Sequence, residues 1–369
     1  MNSMFLRNVI LKGLGLFLII NLIFVSLNPN ALGKLSLYNV LFAGRQRFPF
    51  GEDSSQSYNL SLFNLDAMFA SHFISNRPKQ TDEYRIIIIG DSSVWGTLLL
   101  PEQTLSGLMN RSGLSVCGKK IHVYNLGYPT ISLMKDLMVL DYAMHYNPDL
   151  IIWAVTLEAF PLDNQLSSPI VANNANRVED LIARYNLPFN LNNLAFVRPN
   201  FWDSTLIGQR RPLADLVRLQ MYGVMWTATG IDQSYPSDYQ HTQTDFNTDV
   251  SYHGMQPPIL DVSKLAFTEL EVGKRIAGNV PLILVNEPIL ISTGKNSNVR
   301  YNFLYPRWAY DQWREIMGLQ VQMGGWKYLD LWNIIPATEF TNSAIHLTPY
   351  GESLMAGQVE QFLLGKSCP

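Results

Sequence analysis

The chain has little cysteine, little charge and none of the usual metal or nucleotide signatures, and each shortage excludes something. Two cysteines in 369 residues, Cys117 and Cys368, are far apart and form no CxxC pair, which argues against a structural zinc or a thioredoxin-like redox site. Whether they pair with each other is left open by their spacing. Charged residues are only 15% of the chain, the formal net charge is -3 and no basic stripe or charge run occurs, so nucleic acid is not an expected partner. No GxGxxG turn, Walker A loop or HExxH helix is present, which removes dinucleotide, P-loop and zincin chemistry. No cofactor and no metal are expected.

What is abundant is apolar: 47% of the residues are hydrophobic, enough for a sizeable core. One long apolar run lies at the N-terminus. Arg7 and Lys12 precede GLGLFLIINLIFVSL, residues 13–27, which carries no charge. Such a run is a membrane-span candidate, with the N-terminus inside and the remainder outside because the positive residues precede it. Lys12 can snorkel to the headgroups. A cleaved signal peptide is the other reading, since Ala31-Leu32-Gly33 resembles a small-residue cleavage site. Either way the body is exported: a cell-membrane protein with an extracytoplasmic domain, or a secreted one. Residues 1–33 thus form the anchor or signal segment, and 34–83 an extended juxtamembrane segment packing on the domain, with a turn at 48–51 and a helix near 60–73.

From residue 84 the pattern becomes regular. YRIIIIGDSSVWG, residues 84–96, is a short β-branched apolar run that stops at Gly90, followed by a turn and a helix expected at 102–111. Further strands are expected at 121–126, 150–155, 281–285 and 327–331, with helices at 131–146 and 349–364. Strands alternating with helices give an α/β domain: a three-layer α/β/α sandwich around a five-stranded parallel sheet, covering 84–366. Residues 160–277 exceed a single crossover and form a large insertion, with helices expected at 177–185 and 213–226. Its aromatics (Phe201, Trp202, Tyr222, Trp226, Tyr235 and Tyr239) either line an acyl or sugar pocket or are half-buried core.

Ser92 follows a strand that ends at the ligand edge of such a sheet, where a helix N-terminus points unpaired N–H groups into the crevice. Serine needs a base, and of the six histidines only His346 stands in a loop that opens the final helix at the same edge. Asp91 is expected to order the turn.

Gly90-Asp91-Ser92 with Gly96, Gly127 after the second strand, and Ile345-His346-Leu347-Thr348-Pro349-Tyr350-Gly351 before the last helix resemble the SGNH, or GDSL, hydrolase superfamily. The resemblance spans about 84–158 and 281–364. It implies the flavodoxin-like SGNH fold, Ser92 as nucleophile, His346 as base, and an oxyanion hole from the Ser92 and Gly127 N–H groups. Two departures stand out. The aspartate usual three residues before the histidine is Ser343 here, with Asn342 beside it, so the group orienting His346 is absent, or is Glu339, or Glu287 after the fourth strand, or a backbone carbonyl. Losing an orienting carboxylate from a working triad costs on the order of 10⁴ in rate. The family's Gly-x-Asn-Asp block aligns with Thr156, Leu157 and Glu158, so the asparagine donor is missing and is replaced by Thr156 or by Asn164 folding back. A missing donor costs about 2.7–4 kcal/mol. Glu158 is either a ligand for a sugar hydroxyl or a salt-bridged structural residue.

Three functions follow. The first is an exported serine esterase removing acetyl or short acyl groups from a surface glycan or lipid through a Ser92 acyl-enzyme. The second is an O-acyltransferase delivering the same intermediate to an envelope polysaccharide. The third is a non-catalytic envelope scaffold or glycan-binding module that keeps the fold without the site.

Overall fold

The structure, a computed structural model, describes residues 3–27, 29–42, 44–50, 64–192, 195–233, 235 and 238–365. Residues 51–63 of the segment expected to pack on the domain, including part of the helix expected at 60–73, and Cys368 lie outside the described residues.

Six strands make one sheet: β1 (Glu83–Ile89), β2 (Ser115–Val116), β3 (Lys119–Asn125), β4 (Leu150–Val155), β5 (Leu282–Asn286) and β6 (Lys327–Asp330), in the order β2-β3-β1-β4-β5-β6. All pairs are parallel except β2 with β3. The sixth strand corrects the expected five. It is a two-residue antiparallel flap on the outer edge of β3, too short to carry a periodic signal. The β1 strand begins at Glu83 because Arg85 Nε donates to Glu83 Oε1 at 2.7 Å and its Nη atoms reach Tyr146 O and Arg77 O, so both buried charges are satisfied.

Besides the five-residue helices Leu37–Leu41 and Pro169–Asn173, the described helices are α1 (Ser3–Val25), α2 (Leu65–Ser71), α3 (Ser92–Trp95), α4 (Leu105–Arg111), α5 (Leu133–Ala143), α6 (Ala175–Tyr185), α7 (Arg210–Thr229), α8 (Phe267–Ala277), α9 (Arg307–Gly324) and α10 (Pro349–Leu364). The helix expected at 102–111 starts later. Pro101–Gln103 is a 3-10 turn, and Thr104 caps α4 by accepting from Gly107 N. Likewise Ser132 caps α5, and the chain tightens into 3-10 geometry after Ala143.

Alternation along β1 sorts its four consecutive isoleucines between two cores. Ile86 and Ile88 meet Leu105 and Met109 of α4 and Met355, Val359 and Leu363 of α10. Ile87 and Ile89 meet Phe69 of α2, Leu137 of α5, Leu270 of α8 and Trp313 of α9. The result is a three-layer α/β/α sandwich. Helix α8 belongs to this sandwich although it falls within the span read as insertion: a Cβ at Gly273 would collide with the Trp153 ring of β4, so the helix lies directly on the sheet. The excursion away from the sheet therefore ends before Phe267. Because β1 has β3 on one side and β4 on the other, the chain reverses direction of travel at the C-terminal end of β1, where a crevice opens.

Candidate active site

At the end of β1 the backbone passes through Gly90 to Asp91, whose Oδ1 accepts from Ser93 N at 2.8 Å and caps α3. Ser92 is the first residue of that helix. Its N–H has no protein partner among the described residues. The far end of the short helix is closed by side chains brought from elsewhere. Asn125 Nδ2 donates to Val94 O at 2.7 Å, and Arg47 Nη1 donates to Gly96 O at 2.7 Å and Trp95 O at 3.2 Å. Arg47 is 1% exposed and lies over the Trp95 ring, 4.4 Å from its centroid. Trp95 Nε1 in turn donates to Phe48 O. Residues 45–50 thus hold the turn that carries Ser92, a contact invisible in a stretch with no clean period.

His346 comes from the loop closed by an isolated bridge, Phe340 with Leu347, just before α10. Glu339 ties this loop: its Oε2 accepts from the Thr348 hydroxyl and its carbonyl from Thr348 N at 2.9 Å. It does not touch the imidazole, which corrects its candidacy as the orienting group. Across 254 positions of sequence, His346 Nε2 lies 2.7 Å from Ser92 Oγ, and Nδ1 lies 2.8 Å from Asn342 Oδ1. An amide oxygen accepts only, so Nδ1 carries the proton and Nε2 is left with its lone pair toward the serine hydroxyl. The orienting group is a neutral amide four residues before the histidine. Burial pushes the His346 pKa down to about 4, and with no carboxylate at Nδ1 nothing pulls it back up.

The remaining sequence candidates go elsewhere. Glu287 is buried and accepts from the Ser93 hydroxyl, away from the imidazole, so it does not orient His346. Burial, then the neighbouring Asp91, raises its pKa well above the carboxylate range. Asp136 and Glu352 are buried nearby and also raised by burial, Glu352 to about 8. The one buried cation among them, Lys135, donates to Gly90 O at 2.6 Å and pairs with Asp136 at 2.5 Å. Gly127 lies directly under α3, where a Cβ would strike the Trp95 backbone. Its N–H, expected in an oxyanion hole, donates to Asn125 Oδ1 at 3.0 Å. The Thr156 side chain is fully buried and its Oγ1 accepts from Tyr305 OH at 2.7 Å, so it sits in the core. Asn164 Nδ2 donates to Glu158 Oε1 at 3.3 Å, and Glu158 pairs with His253 Nε2 at 3.0 Å. That pairing, reinforced by Asp163 at 3.2 Å from Nδ1, raises the His253 pKa to about 9. Glu158 is therefore the anion of a salt bridge. Among the described residues no group of three or more His, Cys, Asp or Glu side chains is placed to hold a metal ion.

No protein-family model matches this chain, and no curated protein does either. Solved structures with similarity include a member of the lipolytic protein G-D-S-L family from Veillonella parvula, at 10% identity over 76% of this chain and 99% of that one, TM-score 0.36. The native aryl esterase of M. smegmatis is similar at 13% identity over 75% and 99% of the two chains, TM-score 0.32. The carbohydrate acetylesterase Est24 from Sinorhizobium meliloti is similar at 13% identity over 76% and 98%, TM-score 0.33. At these scores no residue role is transferred from them.

Proposed function

We propose that the protein is a membrane-tethered serine esterase, with Ser92 as nucleophile and His346 as general base, that removes acetyl or other short acyl groups from an extracytoplasmic glycan or lipid. The observation that carries this reading is the 2.7 Å contact between Ser92 Oγ and a His346 Nε2 left unprotonated by its Nδ1 partner. The Ser92 hydroxyl attacks the ester carbonyl while Nε2 takes its proton, and the free N–H of Ser92 donates to the oxyanion that forms. Collapse returns that proton to the leaving alcohol. His346 then activates water against the acyl-enzyme, and serine and acid are released. Export is supported by the position of Arg7 and Lys12 before the apolar run.

The test is labelling of the detergent-solubilised full chain by a fluorophosphonate probe. Wild type is expected to label, and Ser92→Ala and His346→Ala are not. A folded wild type that stays unlabelled would sink the reading. Product analysis of an acetylated sugar with and without a hydroxyl acceptor then separates acyl release from acyl transfer.

A further inference from the structure

Helix α7 is apolar on two sides. Its Leu219 and Gly223 are buried, and Leu219 packs with Ala67 of α2. The opposite side carries Val217, Met221, Val224, Met225 and Ala228, which recur at helical spacing and are all exposed, Met221 at 67%. A helix facing water on that side would be polar there. The loop before it adds Phe201, Ile207 and Trp202, the last 73% exposed. Residues 35–42 join the same surface. Leu37 N donates to Gln220 Oε1 at 2.7 Å, Gln220 Nε2 donates to Leu35 O at 3.2 Å, and Leu35, Leu37, Val40 and Leu41 stay exposed.

Two observations say what covers this face. Ile207 N donates to Asn21 Oδ1 at 3.3 Å, and Asn21 is the buried residue of α1. Asn21 precedes the end of α1 by one helical turn, about 6 Å at 1.5 Å per residue, so the loop before α7 lies beside the span below its outer end. Helix α1, 23 residues and about 35 Å at 1.5 Å per residue, is long and apolar enough to cross a hydrocarbon core of about 30 Å, and its large apolar side chains are exposed. The exposed face beside its outer end is therefore continuous with apolar surface that a bilayer would cover. We propose that α7, the loop 201–209 and residues 35–42 embed together in the acyl region of the outer leaflet, so that the domain lies on the membrane instead of hanging from a tether. Arg210 and Arg211, exposed at the start of α7, follow the loop that carries the exposed Trp202, and a headgroup layer takes basic and aromatic side chains of this kind. The depth assigned to this face rests on α1 being a retained span.

The test places the full chain in phosphatidylcholine vesicles that carry a diazirine on the acyl chain, followed by photolysis and peptide mapping. Adducts are expected on residues 3–25 and also on 201–229, the latter at least tenfold above those on α9. Met221→Glu with Met225→Glu should cut the adducts on 201–229 at least tenfold while leaving those on 3–25 and fluorophosphonate labelling unchanged. Adducts on 3–25 alone overturn the embedded face, whether water or a second copy of the chain covers it, and a doubled mass in detergent identifies the copy. Adducts on neither segment overturn the span and the face together. Adducts on 201–229 of a chain whose first residues have been cleaved uphold the face and overturn the retained span.

Discussion

Two histidines at the C-terminal edge of the sheet show how neighbours decide what an imidazole does. His346 lies between a hydroxyl and an amide oxygen, and burial lowers its pKa to about 4. His253 lies between two carboxylates, Glu158 and Asp163, and is raised to about 9. At neutral pH the first is an unprotonated base and the second a cation. The contrast teaches that the residue type is uninformative by itself: a base requires partners that fix the tautomer without supplying negative charge, and an ion pair requires the reverse.

The sharpest way to break this contrast is to remove the base. Ser92→Ala or His346→Ala should lower kcat by on the order of 10⁵–10⁶, as removal of a nucleophile or its base does elsewhere, whereas His253→Gln should change kcat/KM by less than about threefold. Comparable losses from both histidines would mean the salt bridge takes part in the reaction. Next in size is the pair's orientation. Asn342→Ala removes one hydrogen bond and should lower kcat/KM by about tenfold. The acid limb of kcat/KM is expected near pH 4 in wild type, because His346 acts as a base only above its pKa. Asn342→Asp places a carboxylate at Nδ1 and should move that limb upward by about one pH unit or more. An unmoved limb would show that another group sets the profile.

Stability effects follow. Glu352 is buried, has one oxygen without a partner, and is raised to about 8. The unfolded chain holds fewer protons than the fold between the ordinary glutamate value and pH 8, so stability falls as pH rises through that window. Glu352→Gln should therefore raise Tm by several degrees at pH 8 and give no gain at pH 4, read by thermal melts. The smallest effect belongs to His253. Its raised pKa gives stability fully present below the ordinary histidine value and lost as pH rises through about 9. His253→Gln should flatten the melting curve over that interval, and the exposed Asp163 partner keeps the change small.

Much of this was legible in the chain. The four isoleucines of β1, the stop at Gly90 and the position of Ser92 follow from local pattern, as does the loop that delivers His346 to α10. The orienting residue was not, because Asn342 and Glu339 flank the same loop and only its fold decides which reaches Nδ1. Arg47 was not legible either: a buried arginine among loop residues gives no periodic signal until Trp95 and Gly96 are seen beneath it. Glu158 and His253 are 95 positions apart, so their pairing could not be read from spacing. For the insertion, helicity near 213–226 was readable, but not that its second apolar side is left uncovered.

By itself the sequence determined where strands and helices alternate, that a serine follows the first strand and a histidine precedes the last helix, and that an apolar segment precedes the domain. Those follow from interactions between residues close in sequence and from the period of burial. Only the tertiary structure decided that an amide oxygen faces His346 Nδ1, that Gly127 N–H is held by Asn125, that Glu287 sits buried against Ser93, and that the loop before α7 lies beside α1. Each of these depends on contacts between distant segments, where hydrogen-bond geometry and desolvation, set by the packed fold, select one partner among several of the same chemistry.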